Sequence, residues 1–234
     1  MLGLITGAAG ALSMAATTRG FANASALGIA AGPCSASGDG LGYWWAGSDG
    51  RLFYTPPNCA NCDAVIPAGW PGAAAPTLCQ VKGGQLYVAV ANASGPGAWA
   101  IFTPAAAALP TSSAALAWTA IAAGSGGDAL GFSFANGGRS LYVAVKGQGV
   151  TLLTRASTAA AFSAPALNTN TAAAVDVLVS ASERRVYLIS PYALSFVDVA
   201  AAAGVTWDTA QVSVMATLPA DGSRFTGIAL APSA

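Results

Sequence analysis

The chain has 234 residues, 9 basic and 9 acidic side chains, no histidine and only 8% charged residues; it is long enough for one large core and lacks the charge clustering that nucleic acid or an anionic membrane surface would require. Without histidine, a Ser-His-Asp or Cys-His site is excluded, and the commonest general base and metal ligand are gone. Hydrophobic letters reach 54%, much of it alanine, and the charge-free stretch between Lys82 and Asp128 is broken by Pro96, Pro104 and Pro110; no run approaches the roughly twenty apolar residues of a membrane span.

In chain order, the first eighteen residues carry no side-chain charge, but they have no basic start and are interrupted by Gly3, Gly7 and Gly10. They read as the end of a repeat rather than as a signal peptide. Apolar strands then begin at 27–31, 77–81, 130–134, 175–179 and 225–230. After each of the first four comes a turn: Ser37-Gly38-Asp39-Gly40, Gly83-Gly84, Asn136-Gly137-Gly138 and Ser182-Glu183-Arg184. A second strand follows each turn, Leu86-Tyr87-Val88-Ala89-Val90 being repeated letter for letter at Leu141-Tyr142-Val143-Ala144-Val145, with looser copies at 41 and 186. The spacings of the four copies are 45, 55 and 45 residues. Third strands are expected at 51–55, 98–103, 150–154 and 194–197, and less regular fourth strands at, for example, 117–122 and 211–218.

Four antiparallel strands per unit of about fifty residues is the blade of a β-propeller, in which each unit buries its apolar faces against its neighbours. The expected architecture is all-β, a single domain over 1–234, with full blades at 25–72, 76–124, 128–170 and 174–219. Residues 1–20 would end one blade and 224–232 would begin it. Closure from both termini gives about five blades and protects the sheet edges; a fragment of a six- or seven-bladed propeller is the alternative.

The segment Phe132-Ser133-Phe134-Ala135-Asn136-Gly137-Gly138-Arg139-Ser140-Leu141-Tyr142-Val143-Ala144 resembles the YVTN/NHL type of propeller repeat, an apolar strand, a polar-glycine turn and a "LYVA" strand in succession. The resemblance covers about a third of each repeat. It implies a central channel and loop-built binding faces, in a group that includes extracellular binding modules and some lactone-cleaving enzymes.

Catalytic candidates are few. The single glutamate, Glu183, stands beside Arg184 and Arg185 in an expected turn and reads as a solvated hairpin tip. Asp39, Asp49 and Asp221 each precede glycine, which is turn chemistry. Asp63, Asp128, Asp176, Asp198 and Asp208 would have to converge on the ring axis to form a glycosidase pair or a calcium cage. No catalytic residue, metal ligand or cofactor is expected.

The four cysteines, Cys34, Cys59, Cys62 and Cys79, fall in or beside the first full blade. Their even number suggests two disulfides, with Cys59 and Cys62 bridged to Cys34 and Cys79 so that the 56–76 excursion is pinned to the blade. Four-thiolate zinc would prefer a second Cys-x-x-Cys knuckle. Disulfides imply an oxidising compartment, and Asn23-Ala24-Ser25 and Asn92-Ala93-Ser94 are glycosylation sequons consistent with one.

Trp44 and Trp45 are adjacent on a strand and must point to opposite faces. Trp99, Trp118 and Trp207 read as intersheet packing. Trp70, in Gly69-Trp70-Pro71, is the best candidate for an exposed platform stacking on a sugar, with Arg51 or Asn61 bonding its hydroxyls. The expected function is a non-enzymatic, extracellular or cell-surface interaction or matrix module for a protein or glycan. The alternatives are a metal-assisted hydrolase of lactonase or glycosidase type, and a truncated piece of a larger propeller assembly.

Overall fold

The computed structural model describes residues 2–6, 13–17, 26–33, 41–47, 49–56, 64–67, 69–70, 74–82, 84–105, 109–111, 116–180, 182–199 and 206–218, the first three segments, 41–43 and 164 by backbone alone. The described chain is all-β: eighteen strands and three short 3-10 turns. Strands β1 (Leu2–Thr6) and β2 (Ser13–Thr17) form a two-stranded hairpin. The rest form four sheets, each of four consecutive strands paired in sequence order. The first holds β3 (Ala26–Pro33), β4 (Leu41–Gly47), β5 (Leu52–Thr55) and β6 (Ala64–Ile66). The second holds β7 (Ala75–Lys82), β8 (Gln85–Ala91), β9 (Ala98–Pro104) and β10 (Trp118–Ser125). The third holds β11 (Ala129–Ala135), β12 (Ser140–Val145), β13 (Gly149–Thr154) and β14 (Ser163–Asn168). The fourth holds β15 (Asp176–Val179), β16 (Arg185–Ile189), β17 (Ala193–Asp198) and β18 (Ser213–Thr217).

These are the four expected blades, and the fold is that of a β-propeller. The Leu-Tyr-Val strand is the second in each sheet, and residues 1–20 contain a hairpin. Residues 225–230, the expected first strand of a closing blade, lie outside the described residues. Cα packing divides the chain into two compact units, one of residues 1–69, 76–88 and 104–118, the other of 70–75, 89–103 and 119–234.

In the first unit the adjacent tryptophans do point to opposite faces, and both are buried. Cross-strand partners complete each face: Trp44 lies opposite Tyr54 with ring centroids 5.1 Å apart, and Trp45 stacks on Phe53 at 4.1 Å. Each indole N–H is satisfied, Trp45 Nε1 by Thr55 Oγ1 at 3.0 Å and Trp44 Nε1 by the Pro110 carbonyl at 2.6 Å. Pro110 lies between β9 and β10, so the connection between the third and fourth strands of one sheet is tied to the second strand of the sheet before it.

In the second unit the alternation of β-branched residues puts one row from each sheet face to face. Tyr142, Ala144 and Val150 of the third sheet pack with Val177, Val179, Val186, Leu188 and Val197 of the fourth, and Trp207 closes the cluster. Where β11 and β15 approach, there is no room for a side chain: a Cβ on Gly131 would lie 2.1 Å from Asp176 Oδ1 and 2.9 Å from its Cα. Next to it, Ser133 Oγ accepts the Val179 N–H at 3.0 Å.

Gly131→Ala is therefore expected to destabilise the fold by about 1–3 kcal/mol through overpacking. Ser133→Ala is expected to cost a similar ~1–3 kcal/mol by leaving the buried Val179 N–H unsatisfied. Urea unfolding checks both, and wild-type midpoints in both variants would contradict this packing.

Candidate functional site

Because each sheet is an up-and-down meander, the loops joining its first to second and third to fourth strands leave at the same end. In the third sheet these are 136–139 and 155–162, and in the fourth 180–184 and 199–212. Both first turns pass through the left-handed region, at Asn136 (φ 51°) and Glu183 (φ 56°), and Gly137 and Gly138 follow at 60° and 85°. Asparagine and glycine tolerate that conformation.

The two turns touch. Glu183 Oε2 accepts the Asn136 N–H at 2.7 Å, so the one glutamate is a clasp between neighbouring sheets as well as an exposed hairpin tip. Around that contact stand four arginines. Arg139 Nη2 donates to Asn136 Oδ1 at 2.7 Å and its Nε to the Asn136 carbonyl at 3.3 Å. Arg155 Nε donates to the Gly138 carbonyl at 2.8 Å, its guanidinium 4.5 Å over the Phe162 ring. Arg185 lies 4.6 Å over Phe196 and 3.9 Å from Asp198 Oδ2. Arg184 is exposed. Carbonyls and rings, rather than carboxylates, hold Arg139 and Arg155, so their charge stays available. Neither they nor Arg184 pairs with a carboxylate among the described residues.

Two cavities open here and share Asp198 as a wall. One, of about 300 Å³, is lined by Ser180, Ser182, Arg184, Arg185, Tyr187 and Asp198. The other, of about 200 Å³, is lined by Tyr142, Leu152, Val199, Thr206, Trp207 and Ala210 beside Asp198. The second exists because the segment before β18 folds over the preceding sheet. There Trp207 Nε1 donates to the Val150 carbonyl at 2.8 Å, its ring meets Tyr142 edge-on at 4.9 Å, and buried Asn168 donates from Nδ2 to the Ala210 carbonyl at 2.9 Å. Burial pushes the Tyr142 phenol above its ordinary value, and the Glu183 charge adds to the shift.

Of the residues expected to hold a sugar, Trp70 and Arg51 do not line these cavities. Trp70 is 7% exposed, with its ring 6.2 Å from Phe102. A buried indole offers no face to a ligand, and the expected exposed platform is corrected on that ground. Arg51 is held within its own turn by Asp49, at 2.6 Å from Nε and 2.5 Å from Nη2, and covers Phe53 at 5.0 Å. Asp49 also accepts the Arg51 N–H at 3.1 Å, the expected turn role. Asn61, Asn23, Cys34, Cys59 and Cys62, and with them Asp39, Asp63 and Asp221, lie outside the described residues. Cys79 is buried, its sulfur 3.0 Å from the Trp44 carbonyl oxygen. Asn92 is exposed in a turn at φ 55°. Among the described residues no three Cys, Asp or Glu side chains gather where they could hold a metal ion.

No protein-family model matches the chain, and none of the curated proteins does. Solved structures do. A luciferin-regenerating enzyme matches at TM-score 0.58 and 10% identity, over 85% of this chain and 64% of that one. A candidate 6-phosphogluconolactonase from Bacteroides uniformis ATCC 8492 matches at 0.51 and 11%, over 83% and 57%. YCF48 bound to D1 peptide matches at 0.48 and 14%, over 88% and 57%. The likeness is one of fold. The chain spans 57–64% of the length of these three.

The buried phenol makes a prediction about pH. Its neutral form is favoured in the folded chain, so its contribution is complete below about pH 10 and is lost as pH rises, where the unfolded phenol ionises first. Tyr142→Phe should flatten the fall in unfolding free energy above that pH. Parallel profiles for the two proteins would show that Tyr142 is not the buried phenol described.

Proposed function

We propose that the chain, over 1–234, is a non-enzymatic propeller domain that binds a protein partner through the loop end of its third and fourth sheets. The observation that carries this reading is the group of four arginines gathered around the Asn136–Glu183 contact, three of them without a carboxylate among the described residues, beside two open cavities. Charge held ready on a fixed loop frame favours recognition of an anionic surface and speeds encounter with it. Among the described residues the aspartates are spread out instead of gathered: Asp176 opens β15, Asp198 closes β17 and Asp208 lies in the 3-10 turn at Trp207–Thr209. That placement favours binding over lactonase or glycosidase chemistry, which needs paired or metal-held carboxylates. The turn-and-strand pattern from Phe132 to Ala144 supports assigning the repeats to the YVTN/NHL type.

An extracellular or cell-surface setting is part of the same reading. Its supports are the clustering of Cys34, Cys59, Cys62 and Cys79 and the exposed sequon at Asn92. With two disulfides, the native chain should weigh four hydrogens less than the reduced one by intact mass spectrometry; equal masses would remove this support.

The binding reading is tested by probing one preparation against a displayed random-peptide library, a glycan array and a panel of lactone and aryl-glycoside substrates. Peptides should be retained, and the Arg184→Ala/Arg185→Ala variant should lose about tenfold or more in retention. Retention of glycans alone, or turnover of any of the substrates, would overturn it.

A further inference from the structure

The cavity of about 300 Å³ beside Arg184 is open and mostly polar in its exposed lining, and every lining residue but Asp198 can donate a hydrogen bond. Ser180, Ser182 and Arg184 come from the turn between β15 and β16, while Arg185 and Tyr187 stand two positions apart on one face of β16. Ser180 Oγ accepts the Arg185 N–H at 3.1 Å and lies 3.3 Å from Ser182 Oγ. Whichever hydroxyl accepts in that serine pair keeps its own proton for a ligand. Donors that arrive from both a turn and a strand surround a bound group on more than one side. A planar carboxylate faces few of them at once, whereas a phosphoryl group presents three strong acceptor oxygens splayed about its phosphorus. The charge agrees: the four arginines around the Asn136–Glu183 contact outnumber Glu183 and Asp198 by two, and a phosphate monoester carries close to two negative charges at neutral pH, roughly twice a carboxylate. Asp198, 3.9 Å from Arg185, repels a free anion but offers a polypeptide an acceptor for a backbone N–H.

Resting on the binding reading above, we infer that the protein partner is recognised through a phosphorylated side chain, its phosphoryl oxygens held by Arg184, Arg185 and the serine hydroxyls, with a neighbouring backbone N–H donated to Asp198. The arginine fork suits a phosphoryl group in two-point contact. Arg139 and Arg155 add attraction from the neighbouring turn at longer range, so association depends on ionic strength.

The test uses the full chain and fluorescence anisotropy with four synthetic peptides that differ at one position, phosphoserine, serine, glutamate or serine O-sulfate, and with inorganic phosphate as competitor. The phosphoserine peptide should bind, and serine or glutamate in its place should weaken binding about tenfold or more through lost charge-assisted hydrogen bonds. The O-sulfate, of the same shape but about half the charge, should fall between the phosphoserine and serine peptides. Inorganic phosphate should compete only in large excess, and Asp198→Asn should make it a better competitor. Binding should fall as salt rises, and Arg184→Ala/Arg185→Ala should lower it about tenfold or more. Arg184→Lys/Arg185→Lys, which keeps the charge without the fork, should restore part of it. Equal binding of the phosphoserine peptide and the serine or glutamate peptide, or inorganic phosphate competing as well as the phosphopeptide itself, would overturn the inference. Peptides from the unphosphorylated library should bind more weakly than the phosphoserine peptide; library peptides that bind as tightly would overturn the inference while leaving the binding reading standing. No retention of any peptide, phosphorylated or not, would overturn both.

Discussion

A four-stranded sheet with apolar residues on both faces cannot shield them alone, and this chain meets that constraint by tying the connection between third and fourth strands to the sheet before it. Among the described residues the tie is made twice in a similar way. In one case the Trp44 indole on a strand reaches the Pro110 carbonyl in the connection. In the other, Trp207 in the connection reaches the Val150 carbonyl on a strand. An indole combines a large apolar body with one directional donor, so a single side chain both fills the gap between layers and fixes its register. Asn168 and Thr171, buried polar residues of the third sheet and the turn after it, add to the second tie: Asn168 holds the Ala210 carbonyl, and Thr171 Oγ1 accepts the Val150 N–H at 2.6 Å. The candidate site is a by-product of this arrangement, since the cavity beside Tyr142 opens where the Trp207 connection crosses the preceding sheet.

The electrostatics of the loop end follow from how few charges the chain has. With 9 basic residues in all, four arginines around one contact between turns is a concentration that net charge conceals. Two of them are anchored by carbonyls and rings, which fix the guanidinium without neutralising it. The nearby acids are occupied in other ways: Glu183 bonds a backbone N–H, Asp208 accepts from Thr206 Oγ1, and Asp198 stands at the long distance of 3.9 Å from Arg185. The result is a fixed positive frame beside two open cavities on a molecule with no net charge.

Much of the architecture was legible in the sequence because a letter-for-letter repeat, glycine-rich turns and period-two alternation all pointed to the same unit. The Leu-Tyr-Val strands, their partners and the opposed faces of Trp44 and Trp45 follow from that pattern. The site was far less legible. Trp70 looked exposed because it sits among glycines and prolines, yet such segments can fold inward, and composition does not record which way an indole turns. Arg184 and Glu183 were correctly placed in a turn, but the meeting of that turn with Asn136, 47 residues earlier, depends on how consecutive sheets pack. Arg139 stands inside the repeat-like segment 132–144 as one more turn residue, and Arg155 carries no motif at all. The intersheet packing of Trp207 follows from its place in the repeat, while the cavity it creates appears only when the path of its connection is known.

The claim on which the rest stands is that consecutive sheets are coupled through these ties and not merely adjacent. Hydrogen exchange followed residue by residue in Trp207→Ala tests it most directly. Coupling predicts that amides of β12 and β13 in one sheet lose protection together with those of β16 and β17 in the next. Loss of protection confined to 206–212, with both sheets exchanging as in the wild type, would contradict it.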